Sequence, residues 1–429
     1  MRASALWRKR APATPCAKPV PVVRTGPVSS ETQAPPEEAA SPDGAVEAPP
    51  LAHKILLVTD AWEPQVNGVV RTLSNTMREL TAMGCEIEVI SPADYKRTVP
   101  LITYSEIRLA LGARADVEDR FLDFKPDAVH IATEGTLGWD ARAICLKHKF
   151  PFSTSYHTQF PEYVHARFSW IPLWAGYRYM HAFHDKSGRM MVATPTMIEA
   201  LRLQGFRNVA LWSRGVDIEM FHPDKRGIDG GLFKDLPKPV FVYVGRVAVE
   251  KNIEAFLRLD LPGSKVVVGD GPAREELEAK YTGARFVGSK FGEDLARHYA
   301  DADVFVFPSF TDTFGLVILE AAATGTPVAG YVAPGPKDIL PGTGAGIVDT
   351  DLRKACLEAL KLKREDARAL AEKYSWRACA EEFRRNLDPL PKERGRRFWH
   401  KLRDLRARAK ERRRIAREKR QARRASSES

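Results

Sequence analysis

The feature that most constrains this chain is a pattern that occurs twice: short, apolar, β-branched runs separated by stretches in which apolar residues recur at helical spacing. Runs at 55–59, 87–91, 128–132 and 190–193 form a first series; runs at 240–244, 265–268, 284–287, 304–307 and 327–329 form a second. Continuous apolar runs of this length predict strands buried on both faces, and their alternation with helices predicts parallel sheets with helices packed against them. The expected fold class is therefore α/β, with two Rossmann-like, doubly wound domains. Between the two series, 212–239 is broken by prolines and a Gly-Gly pair in a charged background, which predicts an interdomain connection. Two such domains leave a central cleft facing the carboxyl ends of both sheets, where ligands of these sheets bind.

The expected boundaries are an N-terminal domain over 54–212, a linker over 213–238 and a C-terminal domain over 239–375. Residues 1–53 are rich in Pro, Ala, Glu and Ser and poor in large apolar side chains, so they cannot offset the entropy of ordering and are expected to be a disordered extension. Their first 25 residues hold six basic and no acidic side chains but lack the apolar core of a secretory signal; a transit peptide is the alternative reading. The five cysteines are scattered and odd in number, which fits a reducing compartment and neither a disulfide framework nor a zinc site. No apolar run approaches the roughly 18 residues a membrane-spanning helix needs. A cytoplasmic protein is expected.

The chemistry concentrates at strand ends. In SFTDTFGLVILEAAATGTPV, residues 309–328, a strand leads through Phe314-Gly315 into an apolar helix. Asp312 stands just before that helix, whose first backbone N–H groups are unpaired and suit anions or sugar hydroxyls. Glu320 lies about one and a half turns further on, at ~3.6 residues per turn. In VGRVAVEKNIEAF, residues 244–256, Arg246 ends a strand and Lys251 opens a helix; a planar fork and a point charge together suit a diphosphate. VVVGDGP, residues 266–272, is a strand followed by a turn containing Gly269 and Gly271. VTDAWEPQVNGVVRTL, residues 58–73, runs through Asn67-Gly68 into a helix, and Gly68 allows backbone to approach a phosphate. FSTSYHTQFPEYV, residues 152–164, ends a strand at a loop carrying His157. The acid pairs Asp301/Asp303 and Asp349/Asp351 imitate metal-binding pairs, but the first leads straight into a buried strand, and no metal is expected.

Two acids separated by seven residues around Phe-Gly resemble the E-x7-E motif of family 4 glycosyltransferases, which have the GT-B fold. The resemblance runs from about residue 54 to 387. It implies that Asp312 and the amides of Phe314 and Gly315 hold a donor sugar, that Glu320 holds ribose hydroxyls, and that Arg246 and Lys251 hold the donor diphosphate. It further implies that Gly269 and Gly271 lie near the nucleotide, that Gly68 meets the donor from across the cleft with Asp60 and Glu63 bordering the acceptor side, and that His157 packs near the reacting sugar. The stretch YSWRACAEEF resembles the GT-B helix that crosses back onto the first domain, here 376–391. The implied activity is retaining transfer of a hexose from a nucleotide sugar, with mannose from GDP-mannose expected and a UDP-hexose such as UDP-glucose the alternative, to a lipid or glycan hydroxyl without a cofactor. A sugar-nucleotide epimerase of the same fold is disfavoured by the Asp312 to Glu320 pair. A nucleic-acid-binding non-enzyme is disfavoured by Arg246, Lys251 and Glu320.

The tail, 392–429, is basic. Residues 392–425 carry 17 Lys and Arg against four acids, more than the chain's whole net charge of +11, so the body is slightly acidic. Its start places Phe398, Trp399, Leu402 and Leu405 roughly on one side of a helix. A basic helix with an apolar patch suits anionic lipid headgroups, which would make the enzyme peripheral on the cytoplasmic face of a membrane. Nucleic-acid binding and a solvated charged helix are the competing readings.

Overall fold

A computed structural model describes residues 51–402 apart from 66, 102, 103, 169 and 392. The expected N-terminal extension, Leu405 and most of the basic tail lie outside the described residues. Each lobe is a six-stranded parallel sheet flanked by helices. The first contains β1 (Lys54–Val58), β2 (Glu86–Ile90), β5 (Ala128–Ile131), β6 (Ser153–Tyr156), β7 (Met190–Val192) and β8 (Val209–Leu211) in the order β2-β1-β5-β6-β7-β8. The numbering skips a hairpin of β3 (Thr98–Leu101) and β4 (Tyr104–Ala110), an antiparallel pair that the apolar runs do not announce. The second contains β9 (Val240–Val244), β10 (Ser264–Val268), β11 (Ala284–Phe286), β12 (Val304–Phe307), β13 (Val328–Gly330) and β14 (Gly346–Val348) in the order β11-β10-β9-β12-β13-β14.

The central strands are buried end to end. Val240 to Val244 and Val304 to Phe307 have no exposed face, because helices cover both sides of the sheet. In both sheets the strand order reverses beside the first strand, between β1 and β5 and between β9 and β12. The loops leaving the carboxyl ends of these strands diverge there and open a crevice. This one topological fact decides where ligand groups collect.

The chain passes between the lobes twice, side by side. Val216 bridges Ser375, and a Cβ on Gly215 would stand 2.5 Å from the Trp376 nitrogen, so only glycine allows the two segments to lie this close. The helix Trp376–Asn386, capped by Ser375 through the Ala378 N–H, buries Trp376, Cys379, Ala380 and Phe383 among Ile55, Leu57, Leu73 and Trp212 of the first lobe. A further helix over 393–402 follows.

That last helix shows what the start of the apolar patch touches. Trp399 packs on Phe121 with centroids 5.2 Å apart, Phe398 packs on Phe150 at 5.4 Å, and Leu402 joins the same cluster. Three of the four residues expected to meet lipid pack, partly buried, against the core of the first lobe. Among the described residues no helix is long and apolar enough to cross a membrane.

Candidate active site

The 245–252 loop leaves the end of β9, and the 308–315 loop leaves the end of β12. Three hydrogen bonds join them: Asn252 Nδ2 donates to the Pro308 carbonyl at 3.0 Å, Thr311 Oγ1 to the Glu250 carbonyl at 3.0 Å, and Lys251 Nζ to Asp312 Oδ1 at 2.5 Å. The short turn Val249–Lys251 ends at Asn252 in the left-handed region, φ 52°, a conformation that Asn tolerates better than most residues. Burial alone would pull the Lys251 ammonium down. The neighbouring Asp312 carboxylate overrides this and holds it above its ordinary value, so Lys251 is charged at neutral pH.

Arg246 is half-buried in the same loop, whose backbone is fixed by Tyr243 Oη donating to the Arg246 carbonyl at 2.8 Å. Gly269 and Gly271 permit a close approach, and the group they approach is this loop. A Cβ on Gly269 would lie 1.9 Å from the Gly245 oxygen, and one on Gly271 would lie 2.4 Å from the Val247 oxygen. The Val247 N–H donates to the Asp270 carbonyl at 2.8 Å and the Ala273 N–H to the Val247 carbonyl at 3.1 Å, so the glycine turn clamps the Arg246 loop.

Gly315, at φ 84°, turns the chain into the helix Leu316–Ala323, and an L side chain there would meet Phe307 and Ile318 at 3.0 Å. The Phe314 side chain is buried in the second lobe. Among the described residues the amides of 314–317 have no acceptor, so they remain available as donors. Glu320, in the second turn and 5% exposed, receives Tyr299 Oη on one oxygen at 3.0 Å. Its other oxygen is paired with Arg71, which comes from the opposite lobe.

The first lobe contributes loops from β1 and β6. His157 follows β6, lies edge-on to Trp212 at 5.7 Å, and is pushed well below its ordinary value by burial and then by the Arg214 charge, so the imidazole is neutral. Its Nε2 is buried without a partner among the described residues. Gly68 is the first residue of the helix Gly68–Ala82 and faces Leu316 of the second lobe, which a Cβ would meet at an ordinary 3.8 Å. Asn67 Oδ1 already accepts the Val69 and Val70 N–H groups at 3.0 Å each, which reduces what this helix start offers an anion.

Asp60 does not border the cleft as an open carboxylate. It accepts from Thr133 Oγ1 at 2.9 Å and from the Leu137 and Gly138 N–H groups at 3.0 and 3.4 Å, so it caps the helix Thr136–His148. Burial pushes its carboxyl up despite those bonds. Glu63 is exposed. The two acid pairs are likewise engaged. Asp301 accepts the Gly227 and Leu232 N–H groups, Asp303 the Val240 N–H and Arg226, and Asp351 caps the helix Leu352–Ala359 while Asp349 pairs with Lys354. Among the described residues no cluster of His, Cys, Asp and Glu is arranged to hold a metal ion.

A seam of polar contacts brings the two sets of loops together. Thr313 Oγ1 donates to the His157 carbonyl at 2.9 Å, Gln159 Nε2 to the Thr311 carbonyl at 3.3 Å, and Tyr163 Oη meets Thr311 Oγ1 at 3.4 Å. The structure thus gathers Lys251, Asp312, the 314–317 amides and the His157 loop in one place, with Glu320 one helical turn deeper. Sequence reasoning missed Arg71, Tyr299, Tyr163 and the two threonines. Arg71 had a usable signal, since it follows Gly68 by three residues at a helix start. Tyr299 had none.

Residues 66–220 match the model of Glycosyltransferase Family 4, and residues 238–373 match that of Glycosyl transferases group 1. The chain is 31% identical over 356 residues to the sulfoquinovosyl transferase SQD2 of Arabidopsis thaliana, covering 74% of this chain and 70% of that protein. It is 32% identical over 319 residues to a GDP-mannose-dependent alpha-mannosyltransferase of Mycobacterium tuberculosis, covering 69% and 83%. A solved sucrose-phosphate synthase from Thermosynechococcus elongatus superposes with a TM-score of 0.64 at 21% identity, over 77% of this chain and 97% of that one.

Proposed function

Because the chain belongs to the family 4 glycosyltransferases and has their GT-B fold, we propose that it transfers mannose from GDP-mannose, with retention of configuration, to a hydroxyl of a lipid or glycan. The observation that carries this reading is the Lys251 to Asp312 pair set against the free 314–317 amides and the His157 loop. It supplies cation, carboxylate and neutral donors where a sugar diphosphate needs each.

In this reading Arg246 and Lys251 hold the diphosphate, and the charge that develops as the sugar–phosphate bond breaks is stabilised by preorganised cations. Asp312 orients Lys251 and, with the Phe314 and Gly315 amides, meets the sugar hydroxyls. Glu320 takes the ribose diol. The Nε2 of His157 bonds a sugar hydroxyl. Gly68 closes the donor from the first lobe, while Gly269 and Gly271 act by holding the Arg246 loop. The acceptor hydroxyl attacks on the face the nucleotide leaves, and its proton passes to the departing phosphate oxygen, so the new glycosidic bond balances the broken one. No protein base, cofactor or metal enters these steps.

The mannose assignment leans on the mycobacterial relative, whose matched region is the larger share of its own length. The relative at 31% identity is named a sulfoquinovosyl transferase and not a mannosyltransferase, which keeps a second reading with a UDP-hexose donor in play. Incubating the full chain with GDP-mannose and UDP-glucose separately and measuring nucleotide release distinguishes the two. Release from GDP-mannose, abolished by Lys251→Ala, is expected; release from UDP-glucose alone would overturn the mannose assignment.

A further inference from the structure

Pro239, Asp303 and Pro327 each stand immediately before a strand, β9, β12 and β13, and so mark the amino edge of the second sheet, opposite the candidate site. Five residues at ~3.3 Å each put the two ends of β9 roughly 15 Å apart. An open pocket of about 560 Å³ lies on this edge. Its charged lining is Arg226, Lys238 and Arg364 against Asp303, and Leu360 and Leu362 give it an apolar wall.

Arg226 and Arg364 lie side by side on the same two carbonyls. Arg226 Nη1 donates to Ala300 and Ala302 at 2.8 and 2.7 Å, and the Arg364 guanidinium donates to the same two oxygens at 2.9 and 3.0 Å. Neutral carbonyls hold the guanidiniums in place without cancelling their charge. Asp303 pairs with Arg226 at 2.7 Å and stands 3.6 Å from Lys238 Nζ, so one carboxylate serves two cations. Arg364 bonds to neutral oxygens alone among the described residues, and burial, followed by the Arg226 charge beside it, lowers it to about 10. The other acids whose charge reaches Arg364 are Asp301, spent on the Gly227 and Leu232 N–H groups, and Glu365, which is exposed. Donors remain. Among the described residues neither arginine Nε has an acceptor, and Lys238, 53% exposed, makes only long contacts, 3.4 Å to the Asp301 carbonyl and 3.6 Å to Asp303.

A planar fork and a point charge in excess of carboxylate suit the oxygens of a dianion. The pocket is wider than a bare phosphate, and its leucines suit an organic group. We propose that this pocket binds a dianionic phosphate group, carried by a small organic ester, with Lys238, Arg226 and Arg364 around the phosphate and Leu360 and Leu362 against the organic part.

The pocket is wired to the cleft. Arg364 Nη2 donates to Thr326 Oγ1 at 3.0 Å, Thr326 Oγ1 to the Tyr299 carbonyl at 2.8 Å, and Tyr299 Oη to Glu320 at 3.0 Å. The same Nη2 donates at 3.1 Å to the carbonyl of Thr324, which ends the helix bearing Glu320. A phosphate in the pocket offsets the repulsion between the two guanidiniums and firms their hold on Ala300 and Thr324, and through them the seat of Glu320.

The test is calorimetric titration of the full chain with phenyl phosphate and, separately, inorganic phosphate. The parent is expected to bind phenyl phosphate more tightly than the free ion. Lys238→Ala should weaken that binding on the order of fivefold and Lys238→Glu on the order of twentyfold, with an unchanged thermal midpoint because the side chain is half exposed. Lys251→Ala, which removes a cation of the cleft, should bind phenyl phosphate as the parent does. Equal affinity of parent and Lys238→Glu overturns the proposal, as does a parent that binds neither probe. Affinity lost in Lys251→Ala and kept in Lys238→Glu puts the probe in the cleft and equally overturns it. Inorganic phosphate bound as tightly as the ester makes the free ion the ligand. A second arm rests on the donor reading: phenyl phosphate should lower the donor KM of nucleotide release severalfold in the parent and not in Lys238→Glu. If the titrations succeed and no nucleotide sugar is turned over, the pocket stands and the donor reading falls; if donor is turned over with a KM that ignores the ester, the pocket stands and the path through Tyr299 falls.

Discussion

Arg71 of the first lobe pairs with Glu320 of the second, and Tyr299 holds the other Glu320 oxygen at 3.0 Å, so one buried carboxylate is shared between the lobes. The Arg71 side chain is 38% exposed, and solvent screening limits an ion pair of that kind to about 1 kcal/mol or less. Arg71→Ala should therefore weaken closure of the cleft without unfolding either lobe. Small-angle scattering should show a larger radius of gyration for Arg71→Ala and for Glu320→Gln, with no further increase in the double variant. Unchanged scattering in both single variants would show that the pair does not hold the lobes together.

Lys251 and Asp312 give a prediction with a definite sign. Asp312 opposes the effect of burial and holds the ammonium above its ordinary value. In Asp312→Asn that opposition is gone, and burial pulls Lys251 down. Since the protonated form is the one that stabilises a leaving diphosphate, the alkaline fall of kcat should begin at lower pH in Asp312→Asn than in the parent. Lys251→Ala should lose roughly a hundred- to a thousandfold in kcat at neutral pH, the magnitude typical of removing one preorganised charge-stabilising group. Coincident alkaline limbs for parent and Asp312→Asn would refute the coupling.

The strands that were legible are those buried on both faces, because VFVYV and VFVF are apolar without interruption. The edge strands β8 and β14 have only three residues each, and the β3–β4 hairpin lacks a continuous apolar run, so none of them produces a comparable signal. The loops with Arg246, Lys251, Asp312 and His157 were legible because chemistry-bearing residues directly follow strand ends. The contact of Arg71 with Glu320 was not, since it depends on how two separately folded sheets face each other, and no periodicity encodes that. An apolar patch on a basic helix reads the same whether lipid or protein covers it. Only the positions of Phe121 and Phe150 show that protein covers part of it.

The glycines separate a structural demand from a ligand-facing one. At Gly269 the backbone is at φ 144° and an added Cβ would overlap the Gly245 carbonyl. Gly269→Ala must displace the Arg246 loop, so both thermal stability and kcat should fall, the former by roughly 1–3 kcal/mol for a strained backbone. Gly68→Ala meets only Leu316 at 3.8 Å and has no left-handed φ, so its thermal midpoint should match the parent's. Any change should appear in the donor KM. A Gly269→Ala protein as stable and active as the parent would show that the glycine turn does not position the Arg246 loop.

Two buried histidines set the acid limit of the first lobe. His130 is fully buried between Ser153 and Ser155, whose hydroxyls lie 2.9 and 2.8 Å from its ring nitrogens, and burial lowers it to about 3; His157 is lowered by burial and Arg214. An unfolded chain protonates both near the ordinary value of about 6.5, so below that pH the unfolded state binds protons that the folded state refuses. Their stabilising contribution is complete above about 6.5 and is lost as pH falls toward the folded values, at roughly 1.4 kcal/mol per pH unit for each histidine. Asp60, whose carboxyl is raised by burial, acts with the opposite sign, so the two effects must be separated by comparison. Chemical denaturation of the parent and His130→Gln between about pH 6 and pH 4 does this: the variant's stability should fall with acid less steeply, by about 1.4 kcal/mol per unit. Parallel slopes would mean that His130 takes up a proton in the folded protein, which its place between two hydroxyls, without a carboxylate in contact, argues against.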